Sequence, residues 1–206
     1  MPAAPFKVAF SIIAISGVGL GGYGFYYLFH RSMGDRIASS MSSKKKRFLG
    51  KGDQEWPRLK DKYNTSPNKP KKEDGTSDLP FEDLPEWCEK NYYEGFSSDK
   101  QDTYEKVAKF CFYNTNTLLS NLGNRRFRSG EDYSSDWKRA GDEYYEYFIN
   151  NKERDFLIST DSSYTLSGSN SSLRSVFMRK WCHDNAHKKM YEAGELFSIF
   201  ERWCSK

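Results

Sequence analysis

Apolar residues are concentrated in one uninterrupted run near the N-terminus, Val8–Phe29, which contains no charged residue. At about 1.5 Å per residue, a helix of this length would be roughly 33 Å long, close to the thickness of a bilayer's hydrocarbon core. The run ends in tyrosines and phenylalanines and is followed by His30 and Arg31, an arrangement typical of a membrane–water interface. The pattern predicts a transmembrane anchor over residues 1–30, with the lipid bilayer as its partner.

A cleaved signal peptide is the alternative for this run, because Lys7 precedes it and small residues lie within it. No A-x-A cleavage site follows, and apolar aromatic residues continue for more than a turn, so an uncleaved anchor is favoured. Gly17 and Gly21 form a G-x-x-x-G pair, which predicts weak self-association of two anchors.

Residues 31–78 are dominated by Ser, Lys, Asn, Asp, Gly and Pro, a composition that cannot bury enough apolar surface to order the chain. We therefore expect a disordered basic linker. Trp56, Leu59 and Tyr63 follow helical spacing and predict one short amphipathic turn. The folded domain is expected to begin at Leu79.

From residue 79 onward, apolar residues recur with helical spacing and never alternate as a strand requires. The predicted helices run from Asp83 to Gly95, from Ser98 to Gly123, from Ser135 to Asn150, from Leu173 to Trp181 and from Met190 to Cys204. The predicted fold class is all-α: a transmembrane helix, a polar linker, and a small bundle of about five helices over 79–206. The predicted core comprises Trp87, Trp137, Trp181 and Trp203 with Phe112, Leu119, Tyr144, Phe177 and Phe200.

Charge is distributed unevenly along the chain. Residues 1–78 hold 14 Lys and Arg against 7 Asp and Glu, a net charge of +7, whereas residues 79–206 hold 18 against 21, a net charge of −3. The basic excess, including the cluster Lys44–Arg47, follows the predicted anchor, where anionic lipid headgroups would lie. We therefore expect lipid contact there and no nucleic-acid partner.

The four cysteines, Cys88, Cys111, Cys182 and Cys204, all lie in the predicted domain, and three of them directly follow a tryptophan. An even number in a membrane-tethered domain favours two disulfides if the domain lies outside the cell. Buried thiols beside core tryptophans are a second interpretation. A metal site using Cys182, His183 and His187 is a third, weakened because no C-x-x-C pair is present.

Three disulfide connectivities are open. The separations Cys88–Cys111 and Cys182–Cys204 are 23 and 22 residues, which indicates a duplicated helical hairpin. However, Cys182 is expected at the turn end of the last hairpin, whereas Cys204 ends a helix roughly 25 Å long, so a bond between them would be strained. In an up-down bundle Cys111 and Cys182 fall at similar heights, so Cys111–Cys182 with Cys88–Cys204 is the preferred pairing.

No catalytic motif of a nucleotide-binding loop, hydrolase elbow, zinc protease or dinucleotide fold is present. Ser97 and Lys100 match S-x-x-K formally, but the capping box Ser98–Gln101 accounts for this segment. We therefore predict neither enzymatic activity nor a cofactor.

The layout resembles families of uncharacterised paralogous proteins in haemotropic mycoplasmas, which combine a Gly-rich apolar N-terminus, a polar linker and a domain with Trp-Cys pairs. The resemblance is carried by Gly17–Gly24, Glu86-Trp87-Cys88-Glu89, Val107–Cys111, Asp136-Trp137-Lys138, Lys180-Trp181-Cys182 and Arg202-Trp203-Cys204. It implies no site residues, but it implies a domain at the plasma membrane that faces the host, as a surface antigen with a host protein or antibody as partner.

The orientation of the anchor has evidence on both sides. Basic residues follow the anchor and only Lys7 precedes it, so the positive-inside rule favours a cytoplasm-facing scaffold that binds an internal partner. The cysteines and the resemblance favour an extracellular domain, which is the expectation we adopt.

Overall fold

The computed structural model describes residues 31–150, 158 and 170–206, which are mostly helical, as predicted. The α-helices are α1 Met33–Met41, α2 Trp56–Asn64, α3 Leu84–Tyr93, α4 Gln101–Phe110, α5 Leu118–Asn121, α6 Ser135–Asn150, α7 Ser171–Ala186, α8 Met190–Ala193 and α9 Leu196–Cys204. Strands β1, Arg47–Phe48, and β2, Phe112–Tyr113, pair antiparallel. No helix in this part of the chain is long and apolar enough to cross a membrane, and the predicted anchor, Val8–Phe29, lies outside the described residues.

Residues 31–78 are folded, so the prediction of a disordered linker is wrong, as is the domain boundary at Leu79. Helices α1 and α2 and strand β1 all lie in this segment. Most of the few apolar residues in this segment are buried, among them Met33 and Ile37, each 0% exposed. The amphipathic spacing of Trp56, Leu59 and Tyr63 is confirmed, with all three side chains buried, but helix α2 has nine residues and is longer than the single turn predicted.

The long helix predicted from Ser98 to Gly123 is divided into two. Helix α4 ends at Phe110, because Phe112 and Tyr113 become extended and pair with β1. Residues Ser98–Lys100 form a 3-10 turn instead of the predicted capping box. Helix α5 begins after Thr117, whose hydroxyl accepts a hydrogen bond from the backbone N–H of Ser120 at 3.1 Å.

The third predicted helix corresponds to α6, while the last two differ from expectation. Helix α7 ends at Ala186, five residues beyond the predicted end at Trp181. The last predicted helix is divided into α8 and α9 at Gly194, whose φ of +51° is one that glycine adopts readily.

In place of one bundle of about five helices, the structure has two helical units with separate cores. Unit A comprises residues 31–113, and unit B comprises the described residues from 116 onward. The core of unit A takes only Tyr191 from unit B, and the core of unit B contains residues of that unit alone. The duplicated hairpin that the cysteine spacing indicates is therefore part of a larger repeat.

Equivalent residues occupy equivalent positions in the two units. The pairs, with unit A first, are Met33 and Leu118, Ile37 and Leu122, Trp56 and Trp137, Tyr63 and Tyr144, Leu84 and Met178, Cys88 and Cys182, and Cys111 and Cys204. Every member of these pairs is buried. Since both members of each pair have the same place in the order of helices, the two units form a tandem structural repeat.

The backbone hydrogen bonds repeat as well. The N–H of Met33 donates to the carbonyl of Glu94 at 2.6 Å, and the N–H of Leu118 donates to the carbonyl of Lys188 at 2.9 Å. These bonds join the first helix of each unit to the segment that follows its Trp-Cys helix, α3 or α7. At the other end of each unit, the N–H groups of Leu49 and Arg128 donate to the carbonyls of the second cysteines, at 3.0 and 2.9 Å.

The predicted core is largely confirmed. The tryptophans Trp137, Trp181 and Trp203 are buried, as are Phe112, Tyr144 and Phe200. Two predicted members are half-buried, Trp87 and Phe177. Leu119 is 36% exposed because it lies on the outer side of the short helix α5.

Candidate functional site

All four cysteines are paired, one disulfide in each unit. Cys88 bonds Cys111 and Cys182 bonds Cys204, with a Cα–Cα separation of 5.6 Å in both bonds. The preferred pairing of Cys111 with Cys182 and Cys88 with Cys204 is therefore wrong, and the hairpin pairing is correct.

The preferred pairing failed because it assumed straight, full-length helices in one bundle. In unit B the break at Gly194 turns the chain, so that the end of α9 returns to Cys182 near the end of α7. In unit A, α4 is short enough that Cys111, directly after it, reaches Cys88 in the middle of α3.

Each disulfide lies beside a Trp-Cys-x-x-Asn motif, which the sequence analysis did not identify as a unit. The amides of Asn91 and Asn185 donate to the backbone carbonyls of Trp87 and Trp181, both at 2.8 Å. Both asparagines are buried. The repetition of the same three residues at the same spacing was a signal available in the sequence.

The sulfur atoms are shielded from solvent, since all four cysteines are 0% exposed. Thiol–disulfide exchange needs access of a thiolate to the sulfur, so the folded units hold their disulfides as structural cross-links. Pairing also removes Cys182 as a ligand from the metal site considered with His183 and His187. Among the described residues no group of three or more His, Cys, Asp or Glu is placed to hold a metal ion.

A groove of about 420 Å³ lies in unit A between helix α3 and the segment 70–79. Its lining includes the half-buried indole of Trp87, with Leu79 and Asn91 beside it. Segment 70–79 folds back on itself, because the N–H of Leu79 donates to the carbonyl of Pro70 at 2.8 Å. We refer to this cavity as the Trp87 groove.

The charged side chains around the Trp87 groove are mostly paired. Ion pairs join Lys71 to Asp78 at 2.7 Å, Lys90 to Glu73 at 3.4 Å, Lys51 to Glu86 at 3.0 Å and Lys100 to Glu94 at 2.6 Å. Lys72 and Asp83 are the lining side chains with no ion pair among the described residues. The groove therefore carries one unpaired charge of each sign.

A second groove, of about 350 Å³, lies on the other side of segment 70–79 and has a lysine-rich lining. Its lysines already have partners: Lys106 bonds Asp102 at 2.7 Å, and Lys109 donates to the carbonyl of Pro67 at 2.6 Å. Lys69 likewise donates to the carbonyl of Asn64 at 2.8 Å. This groove offers a ligand less free binding capacity than the Trp87 groove.

The two units are joined by a polar network around Glu55. Its carboxylate accepts from the hydroxyl of Tyr191 at 2.5 Å and pairs with Lys189 at 3.0 Å. Burial alone would raise the pKa of Glu55, but these two hydrogen bonds outweigh it and lower that pKa. Lys62 completes the contact by donating to the backbone carbonyl of Tyr191 at 2.6 Å.

The basic cluster Lys44–Arg47, predicted to contact lipid headgroups, is partly used within the fold. The ammonium of Lys45 donates to the carbonyl of Asn121 at 3.1 Å, and Arg47 pairs with Asp53. Burial lowers the pKa of Lys46. Lys44 is exposed.

Comparison with known proteins gives no family to which the fold or these sites can be referred, because no protein-family model, no curated protein and no solved structure matches the chain.

Proposed function

We propose that this chain is a single-pass membrane protein whose residues 8–29 anchor it in the plasma membrane. The two units then form an extracellular domain that binds other molecules without catalysing a reaction. A host protein or an antibody is the proposed partner, as the resemblance to the haemotropic mycoplasma families implies.

The observation that carries this proposal is the presence of one fully buried disulfide in each unit. Disulfides persist in oxidising compartments and are rare where glutathione and thioredoxin keep thiols reduced. Since every cysteine of the chain is paired, a compartment that reduced them would remove both cross-links.

The folding of residues 31–78 changes how the domain is attached. Helix α1 begins at Met33, four residues after the predicted anchor ends at Phe29. A domain attached in this way would lie directly on the membrane surface, without a flexible stalk. Its binding surfaces would then be those that face away from the bilayer.

The alternative is a cytoplasm-facing scaffold, which the basic residues after the anchor favour. Two of these residues, Lys45 and Arg47, have contacts within the folded domain that account for their presence. These contacts leave the charges that the rule counts in place, so the proposed extracellular orientation rests on the two disulfides.

Accessibility on intact cells tests the orientation. Cells that make the protein are treated with trypsin, and the domain is followed on immunoblots with a cytosolic protein as control. We expect loss of the domain while the control survives. Protection of the domain until the cells are permeabilised would contradict the proposal and favour the scaffold.

The state of the cysteines tests the same proposal independently. Cells are lysed in the presence of an alkylating reagent, and the peptides are analysed without reduction. We expect disulfide-linked peptides with Cys88 joined to Cys111 and Cys182 joined to Cys204. Four alkylated thiols would contradict an oxidising location.

A further inference from the structure

We propose that the Trp87 groove is a saccharide-binding site, in which the indole of Trp87 supports a sugar ring. This inference rests on the proposed function in one respect: the proposed extracellular orientation determines which compartment supplies the saccharide. Binding itself depends on the groove alone.

The internal repeat provides the first argument, because it shows what this tryptophan does when its role is purely structural. In unit B the equivalent Trp181 is buried, 8% exposed, with its ring centroid 6.5 Å from that of Phe200. Unit A keeps the same backbone bond from asparagine to tryptophan, but the position of Phe200 is taken by Val107. Trp87, in contrast, is half-buried and lines a groove.

The second argument is that the walls of the groove are formed in advance. One wall is helix α3. The other is segment 70–79, where the N–H of Lys72 donates to the carbonyl of Ser77 at 3.0 Å and the carboxylate of Asp74 accepts from the N–H of Thr76 at 2.8 Å. Ligand sites of small molecules are usually such preformed clefts, with apolar or aromatic surface and a few polar groups.

The charges favour a neutral, hydroxyl-rich ligand. Lys72 offers donors, Asp83 offers acceptors, and the amide of Asn91 also lines the groove. Because most of the lining charges are already paired, neither a cation nor an anion meets an excess of the opposite charge. A sugar hydroxyl both donates and accepts, and the polarised C–H groups of a pyranose ring suit the negative face of an indole.

Calorimetric titration of the full chain tests the proposal. The protein is held in phospholipid nanodiscs, which avoid glycoside detergents, and is titrated with cellotriose, maltotriose and chitotriose. We expect at least one of the three to bind. Trp87→Ala should weaken that binding at least about tenfold, which corresponds to about 1.4 kcal/mol, whereas Trp87→Phe should keep most of it.

Controls separate loss of the site from loss of the fold. Tyr133→Ala removes an aromatic ring of unit B that is 54% exposed, and it should leave binding unchanged. If Trp87→Ala does not fold, Asp83→Ala and Lys72→Ala alter the exposed rim alone and should each weaken binding.

Two results would overturn the proposal: no binding of any of the three saccharides, or binding that is equal in the wild type and the groove variants. A third informative result is binding of tri-arginine through Trp87 without saccharide binding, which would make the groove a cation site instead. Since the titration uses isolated protein, its outcome is independent of whether the domain faces the outside of the cell.

Discussion

At the scale of single residues, Gly141 in α6 is the point where the backbone of α7 approaches this helix closely. A Cβ atom built there would lie 2.9 Å from the backbone carbon and oxygen of Arg174 in α7. Real Cβ atoms do not tolerate this distance from a rigid backbone, so glycine at position 141 lets α6 and α7 pack closely.

Gly141→Ala is therefore expected to destabilise the protein by about 1–3 kcal/mol through overpacking. The free energy of unfolding, measured by urea titration, checks this. Gly52→Ala is the matched control, because nothing lies within 4 Å of its added Cβ. Equal stability of the two variants would show that α6 and α7 separate without cost.

Single residues also set the response of the protein to acid, with Glu55 as the clearest case. Its pKa is lowered in the folded protein below the ordinary value of 4.5. A carboxylate of this kind contributes stability that is present above its unfolded pKa and is lost as pH falls through the folded pKa.

Glu55→Gln should cost about 1–3 kcal/mol at pH 7, because it removes a charged partner of Tyr191 and Lys189. The difference between wild type and variant should shrink as pH falls below about 4.5. Urea titrations at pH 7 and pH 3 measure it. A difference that is constant across this range would mean that the charge of Glu55 contributes nothing to stability.

At the scale of elements, the ends of helices depend on local chemistry that a periodic pattern does not show. Helix α7 begins after Asn170, whose side chain accepts from the N–H of Leu173 at 3.0 Å. The apolar pattern placed the start of this helix at Leu173, because the residues between them are polar.

Asn170→Ala should destabilise the protein by about 1 kcal/mol, because it removes this N-cap. Asn170→Asp keeps the acceptor oxygen and should remain close to wild type. Thermal unfolding followed by circular dichroism distinguishes them. If alanine and aspartate lower the melting temperature equally, the cap does not stabilise α7.

At the scale of the whole molecule, the structure is a tandem pair with one disulfide in each copy. Both bonds close loops of nearly equal length, with separations of 23 and 22 residues. The chain-entropy model depends only on loop length, so it assigns about 3 kcal/mol to each bond.

Replacing both cysteines of one bond by serine should thus destabilise the protein by a similar amount in either unit. The double variants Cys88→Ser/Cys111→Ser and Cys182→Ser/Cys204→Ser are compared by urea titration. Because the bonds lie in separate cores, the effects of the two double variants should also add. Strong non-additivity would show that the units fold as one cooperative core.

The helical class and most of the core could be predicted from the sequence, because apolar spacing alone decides which face of a helix is buried. Trp137 and Tyr144 are examples, seven residues apart on one face of α6 and both buried. The prediction that the second helix continues to Gly123 was wrong. Phe112 has the spacing of a residue on a helical face, but it is extended and pairs with Phe48 in the sheet.

The prediction that residues 31–78 form a disordered linker was wrong for a related reason. The average composition of this segment is typical of disorder. Its few apolar residues nevertheless pack in one core with residues from later in the chain; they include Met33, Ile37, Leu49 and Trp56. Burial of these side chains depends on partners far along the chain, such as Val107 and Tyr191. A local window of sequence does not contain those partners.

The sequence by itself determined the helical periodicity, the pairs of Trp and Cys and the equal spacing of the cysteines, because these depend on neighbours within a few turns. Only the tertiary structure decided which cysteines bond. It also decided that residues 31–78 belong to a unit equivalent to the second half of the chain. Likewise, it decided that Trp87 lines a groove while Trp181 is buried. Those outcomes depend on where helices end and turn, and hence on contacts between residues that are distant in the chain.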